Sequence, residues 1–214
     1  MISNPTTPAL SAFFHNGDVR TVKQGQTIVI TEQDMGQMFY IDQGYFKASI
    51  VHKDGQKNVL NILDAGCFFP LPDLESIWKN MTLSYEAVAD TTIYVVPTEG
   101  YYQERLSNFE FEEAVHDFYA LQIWDMTQRS KMRQGDTVHN MLTARLKFLA
   151  YRYGKPVDQK LVRISVPLNE TDLADWIAAE PKSVRQELST MSKAGVVQVD
   201  GDFLIVDKAA LSNT

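Results

Sequence analysis

Between Val19 and Leu63 apolar and polar residues alternate in short runs, and each run ends at a turn residue. Val19-Arg20-Thr21-Val22-Lys23 stops at Gly25, and Thr27-Ile28-Val29-Ile30 follows it. Met38-Phe39-Tyr40-Ile41 leads into Gly44, and Phe46-Lys47-Ala48-Ser49-Ile50-Val51 leads into Lys53-Asp54-Gly55. Lys57-Asn58-Val59-Leu60-Asn61-Ile62-Leu63 stops at Ala65-Gly66. Glycines recur at 17, 25, 36, 44, 55 and 66, at spacings of 8 to 11 residues. A period of two with turns at that interval predicts an antiparallel, jelly-roll-like β-roll reaching about Val96. Many of these glycines are expected at positive φ.

After Pro97 the period lengthens. Ser107-Asn108-Phe109-Glu110 fits a capping box, with the Ser107 hydroxyl and the Glu110 carboxylate satisfying free N–H groups at a helix start. The helix is expected to run to about Arg133. Phe111, Ala114, Phe118 and Leu121 form one apolar stripe, and Val115, Tyr119, Ile123 and Met126 cover an adjacent face. So broad an apolar surface needs cover on two sides. The β-roll supplies one and a second copy of the chain the other, so Phe111, Ala114, Phe118 and Leu121 are assigned to a long dimerisation helix. A core helix of one monomer is the competing reading. Gln134-Gly135-Asp136 is the expected hinge.

The remainder carries a boundary signal at every turn. A helix is expected from Thr137 to Tyr153 and a strand over Leu161-Val162-Arg163-Ile164-Ser165-Val166. Asn169 caps a short helix Glu170 to Ile177, with Asp172 at its third position. Ala178-Ala179-Glu180 is a tight turn, and Pro181 opens a second helix that Gly195 stops near Lys193. Val196 to Val199 and Asp202 to Val206 then pair as a hairpin, with Asp200-Gly201 as a two-residue turn of type I′. Helix, short turn, helix and hairpin is the order of a winged helix-turn-helix. The expected fold is α+β, with a roll over 1–106, the dimerisation helix and hinge over 107–136, and the winged helix-turn-helix over 137–214.

The chain has 214 residues, 44% hydrophobic and 22% charged, which suits one large or two modest packed domains. Its one cysteine, Cys67, excludes a disulfide scaffold and fits a reducing cytoplasm. No apolar run reaches the ~20 residues that span a bilayer. No signal peptide is visible in Met1 to Leu10, so a cytoplasmic protein without membrane attachment is expected. The net charge of -7 argues, taken whole, against nucleic acid. It is unevenly spread. Residues 1–136 hold 10 basic and 18 acidic side chains, whereas 137–214 hold 10 and 9. Lys182, Arg185 and Lys193 stand against Glu187 alone in the stretch Pro181 to Gly195.

Over roughly Val19 to Leu211 the chain resembles the CRP/FNR family of bacterial transcription regulators. Phe39-Tyr40-Ile41-Asp42-Gln43-Gly44-Tyr45-Phe46-Lys47 is similar to the family's strand–glycine–strand segment. Asp54-Gly55 with Asn61-Ile62-Leu63-Asp64-Ala65-Gly66-Cys67-Phe68-Phe69 is similar to its later roll segment. Leu168-Asn169-Glu170-Thr171-Asp172-Leu173-Ala174 and Ser183-Val184-Arg185-Gln186-Glu187-Leu188 resemble its DNA-binding helices. The resemblance implies a homodimer that binds double-stranded DNA while its roll senses a signal, with RNA polymerase as a further candidate partner.

In such proteins the second helix of the motif enters the major groove. Lys182, Ser183, Arg185 and Gln186 would face DNA there, with Asn169 and Thr171 from the helix before it. Arg can bond guanine through O6 and N7, and Gln can pair with adenine. Many relatives carry an acidic residue and an Arg in this helix. Here Lys182 replaces the acidic residue and Gln186 the Arg, while Arg185 lies one position earlier. Altered half-sites are expected.

For sensing, the cyclic-nucleotide branch uses a Gly-Glu pair and an Arg-Ser pair, because a buried phosphate needs a cation and a ribose hydroxyl an acceptor. Those positions hold Pro70-Leu71 and Leu83-Ser84, so the cation and carboxylate are missing. An iron–sulfur cluster needs about four thiolates. Haem ligation by Cys67 with His15, His52, His116 or His139 has no supporting spacing, and no metal or cofactor is expected. Cys67 is a candidate redox switch, against which its neighbours Phe68 and Phe69 argue for an inert buried thiol. An apolar lining remains, of Phe68, Phe69, Leu71, Leu83, Ser84, Tyr85, Tyr119, Ile123 and Met126. It can hold a hydrophobic or aromatic effector, or be a filled core. Two rivals stand beside the regulator. A cupin-like enzyme would need clustered His and carboxylate ligands, and only His52 lies in the strand region. An adaptor that has lost DNA binding is favoured by the charge of -7 and the altered recognition helix.

Overall fold

The structure is a computed structural model that describes residues 7–31, 36–53, 55, 57–71, 81–132 and 137–213. The chain packs as two units, one ending at Gln122 and the other beginning at Ile123. The division falls inside the long helix, and the expected hinge Gln134-Gly135-Asp136 lies outside the described residues.

A short helix α1 (Pro8–Phe14) precedes the strands β1 (Asp18–Val22), β2 (Thr27–Ile30), β3 (Gln37–Gln43) and β4 (Phe46–Val51). Then come β5 (Lys57–Leu63), β6 (Phe68–Phe69), β7 (Thr82–Ala87) and β8 (Thr91–Pro97). They form two antiparallel sheets, ordered β1-β8-β3-β6 and β2-β7-β4-β5. Gly25, Gly44, Gly55 and Gly66 have positive φ as expected, whereas Gly17 and Gly36 do not. At Gly44 the requirement is double. Its φ is +99°, and a Cβ there would collide with Thr91 Oγ1, the hydroxyl that accepts from Tyr45 N.

Successive residues of a strand point to opposite faces, so the two residues of β6 reach two layers. Phe69 stacks on Phe39 and Tyr85 at 5.2 and 4.1 Å, between the sheets. Phe68 contacts Phe14 of α1 and stacks on Phe118 at 4.2 Å. All these rings except Phe39 and Tyr85 are less than 4% exposed.

Two helices follow, α2 (Thr98–Ser107) and α3 (Phe109–Met132). The expected capping box does not form, and a one-way cap stands one residue further on. Ser107 is the last residue of α2, and its hydroxyl donates back to Gln103 O at 2.9 Å. Asn108 caps α3 instead, its Oδ1 accepting from Phe111 N at 3.2 Å. The assigned dimer stripe is also corrected. Phe111, Ala114 and Phe118 lie in the core of the chain's own first unit, with Val115, and Leu121 is half-buried. Among the described side chains of the helix the open apolar positions are Phe109 (80% exposed) at its start and Ile123 (65%), Met126 (60%) and Trp124 toward its far end.

In the second unit α4 (Val138–Tyr153) is capped by Thr137, which accepts from Asn140 N at 3.1 Å. It is followed by β9 (Gly154–Pro156), β10 (Leu161–Ile164), α5 (Glu170–Ile177) and α6 (Pro181–Lys193). The chain continues through β11 (Val197–Asp200) and β12 (Phe203–Asp207) to α7 (Lys208–Asn213). The sheet order is β11-β12-β10-β9. Near the end of α4, Arg152 Nε donates to Asp125 Oδ2 of α3 at 2.9 Å, with both side chains 2% exposed.

Two substitutions test this packing. Arg152→Met leaves the Asp125 carboxylate buried without its cation and is expected to cost about 3–5 kcal/mol in denaturant unfolding. A loss below ~1 kcal/mol would show that the carboxylate finds another partner. Phe118→Ala is expected to cost about 3–5 kcal/mol; a near-neutral result would place its ring outside the core.

Candidate nucleic-acid interface

The helix pair α5–α6 is built by short-range chemistry. Asp172 N donates to Asn169 Oδ1 at 2.9 Å, and Asn169 N returns a bond to Asp172 Oδ2 at 3.1 Å. This reciprocal cap fixes where α5 starts. The helix ends at Ala178, which takes φ 54°, and Ala179 N closes back on Ala174 O at 3.0 Å. Pro181 then begins α6 with a preset φ and without an N–H to contribute.

Val184, Leu188 and Met191 are buried, which fixes the inward face of α6. At 100° per residue the opposite face carries Lys182, Gln186, Ser189 and Lys193, all exposed. Ser183 is half-buried on one flank. Arg185 lies on the other flank, 71% exposed, where its Nε donates to Glu170 Oε2 at 2.6 Å. Glu187 is engaged elsewhere, its Oε1 lying 2.8 Å from His139 Nδ1. Asn169 and Thr171 are exposed at the start of α5, though the Asn169 carbonyl is occupied by the cap.

A groove of about 510 Å³ lies between the start of α5, the side of α6 and the hairpin, and Lys182, Ser183 and Gln186 are not in its lining. Asn169, Glu170, Thr171, Arg185, Ser189 and Lys193 line it, and Gly201 and Asp202 close it from the hairpin. The hairpin turn differs from the expected one. Asp200 pairs with Phe203, so the central residues are Gly201 and Asp202, and of these only Gly201 has positive φ. That is the II′ pattern, which needs glycine at its first central position alone. The Arg163 guanidinium lies 3.9 Å from the Phe203 ring centroid and 3.6 Å from Asp200, joining β10 to both strands of the hairpin.

Ser189, Lys193 and Glu170 are additions to the residues that sequence reasoning selects. The signal for the first two is the spacing 182, 186, 189, 193 along one helix face. No local pattern points to Glu170, because its partner lies 15 residues away across a turn.

In the first unit the residues expected to line an effector pocket are mostly filled in. Phe68, Phe69, Leu83, Ser84 and Tyr85 are buried, and Leu71 and Tyr119 are half-buried. Burial pushes the Tyr85 phenol well above its ordinary pKa. Ile123 and Met126 belong to the second unit. Asn61 donates from Nδ2 to Gln122 Oε1 at 3.4 Å, while its own Oδ1 is buried without a hydrogen bond. Cys67 is buried, with Sγ 3.6 Å from Asp64 Oδ1. Among the described residues no group of three or more His, Cys, Asp or Glu could hold a metal ion. No helix among them is long and apolar enough to cross a membrane.

Comparison with known proteins agrees with this architecture in both units. Residues 19–107 match the family described as "Cyclic nucleotide-binding domain", and residues 142–214 match "Crp-like helix-turn-helix domain". A "Probable transcriptional activator" of Rhizobium leguminosarum bv. viciae is 22% identical over 181 residues, which are 85% of this chain and 73% of that protein. FixK2 from Bradyrhizobium japonicum superposes with a TM-score of 0.71 at 14% identity, covering 92% of this chain and 96% of that one. TTHB099, a transcriptional regulator of the CRP family from Thermus thermophilus, gives 0.68 at 16% identity, covering 91% and 95%. The roll match and the helix-turn-helix match lie in order along most of the chain, which therefore carries the two domains, in the order, of CRP/FNR-type transcription regulators.

Proposed function

We propose that this regulator is a cytoplasmic homodimer that reads a near-palindromic DNA site by placing α6 in the major groove. The observation that carries the reading is the outward face of α6. Lys182, Gln186 and Ser189 are exposed there on a helix whose opposite face is anchored by Val184, Leu188 and Met191. Gln186 can pair bidentately with adenine, and Lys182 and Ser189 can reach a base edge or a phosphate. Thr171, Ser183 and Asn169, through its side-chain amide, supply further contacts at the margin. The half carrying this surface has nearly balanced charge, so sequence-independent affinity is low and specificity rests on base contacts.

Dimerisation places two copies of α6 on successive half-sites. Ile123, Trp124 and Met126 on α3 are the apolar side chains that a second copy would cover. The roll senses something other than a cyclic nucleotide held through a carboxylate and an arginine. Leu71 and Leu83 stand at those positions, and Leu83 is buried among apolar neighbours. A hydrophobic effector bound among the roll aromatics fits their chemistry.

Fluorescence anisotropy with random and selected duplexes across a salt series tests the DNA reading. Salt-dependent binding with a preferred sequence is expected. Its absence, with and without cell extract as a source of effector, would favour an adaptor that has lost DNA binding. Gln186→Ala is expected to weaken the selected site by about 1–3 kcal/mol and to leave random DNA nearly unchanged. Equal losses on both would make Gln186 a backbone contact. Ile123→Glu is expected to yield a folded monomer by light scattering; an unchanged dimer mass would move the interface off this face.

A further inference from the structure

The Glu170–Arg185 pair sits at the mouth of the groove beside α6, and stability does not account for it. Its two side chains are 38% and 71% exposed, and pairs in such positions contribute about 0–1 kcal/mol. The first turn of α5 has a second carboxylate, Asp172, which already serves the cap. On a surface that meets phosphates, an unpaired carboxylate at position 170 would repel the ligand. Paired with Arg185 it does not. The pair is neutral as a unit, and it turns a mobile cation into a fixed donor.

We infer that Glu170 is a positioning residue that makes Arg185 a reader of one base instead of a general phosphate contact. The inference rests on the DNA-binding reading above. A free arginine at a groove margin is drawn to the nearest phosphates, which carry no sequence information. Here Nε is held at 2.6 Å by Glu170 Oε2, and that contact engages one edge of the guanidinium. The terminal Nη1 and Nη2 groups remain as a side-by-side donor pair. Guanine offers the matching acceptors, O6 and N7, in the major groove. An arginine already oriented loses less side-chain freedom when it meets that base. The carboxylate also offsets a positive charge that would otherwise attract random DNA. Position 170 therefore acts on specificity in two ways: it aims Arg185 and it lowers the competing affinity.

The test uses the full-length chain with Glu170→Ala, Glu170→Gln, Arg185→Ala and the double variant Glu170→Ala/Arg185→Ala. In vitro selection from a random duplex pool gives the base preferences, and salt titrations on random duplex give the non-specific affinity. Arg185→Ala is expected to erase the preference at one base pair of each half-site. Glu170→Ala should weaken that same preference by about fivefold or more, as a lost aimed bidentate contact does. It should also tighten random-duplex binding at low salt by about tenfold and steepen the salt slope by about one. Glu170→Gln retains an acceptor for Nε and should keep the preference, while its random-duplex affinity rises. The double variant should match Arg185→Ala in base preference. A merely structural pair would shift thermal unfolding and move neither the preference nor the salt slope. Wild-type preference and slope in Glu170→Ala would overturn the inference, as would an Arg185→Ala variant that selects the wild-type sequence. In both cases DNA reading by α6 would stand. Failure of the wild-type chain to enrich any sequence would instead overturn the DNA-binding reading and this inference with it.

Discussion

A guanidinium withdrawn from water needs a compensating charge or acceptors for its N–H groups, and Arg152 has the carboxylate of Asp125. The bond ties the last turns of α4 to the far part of α3. α4 is the element against which α5, α6, β9 and β10 of the second unit pack, so its position sets theirs. Such a pair adds little net stability compared with well-packed apolar side chains, because both ions lose their hydration. It does add directionality. Apolar helices can slide past one another by a fraction of a turn at small cost, whereas a buried ion pair has a single register. A helix-turn-helix packed on α4 has a use for a helix that cannot slip.

The roll solves a different problem. β6 has only two residues, yet Phe68 and Phe69 reach opposite layers and contact rings from α1, α3, β3 and β7. Where relatives that bind cyclic nucleotides would need charged groups around a phosphate, this chain has Leu71, Leu83 and a stacked Phe69–Tyr85 pair. Aromatic stacking of this kind contributes about 0.5–1.5 kcal/mol beyond area burial. The roll fold is thus combined with apolar packing at these positions.

Much of the winged helix-turn-helix is legible because its boundaries are written in single residues. Asn169 with Asp172, Pro181, and Gly195 at φ +75° each act within a few positions of themselves. Strand β9 and the helices α1 and α2 do not announce themselves in the sequence, being too short for a period to show. Ser107 misleads because a serine hydroxyl serves equally well bonded forward as a cap or backward to the preceding turn, and only α2 decides between them. On α3 the apolar spacing is real, but spacing does not name the partner. The roll claims Phe111, Ala114 and Phe118, and leaves Ile123 and Met126 open. The hairpin shifts by one residue because Asp200-Gly201 and Gly201-Asp202 both satisfy a turn, and register is settled by pairing with β12. Of the candidate site, the face of α6 can be read from its period. The Glu170–Arg185 contact cannot, since it exists only once two helices have docked.

Ala178 carries a consequence for how that docking comes about. A left-handed backbone at a residue with a Cβ is disfavoured by roughly 1–2 kcal/mol relative to the ordinary helical basin. The bend between α5 and α6 is therefore not a local preference that brings the helices together. It is imposed by them, through the burial of Leu173, Ile177, Val184 and Leu188. An isolated peptide spanning the two helices would spend most of its time straight or frayed at position 178. The motif acquires its shape from the domain around it, so the geometry of this helix-turn-helix is a product of tertiary structure.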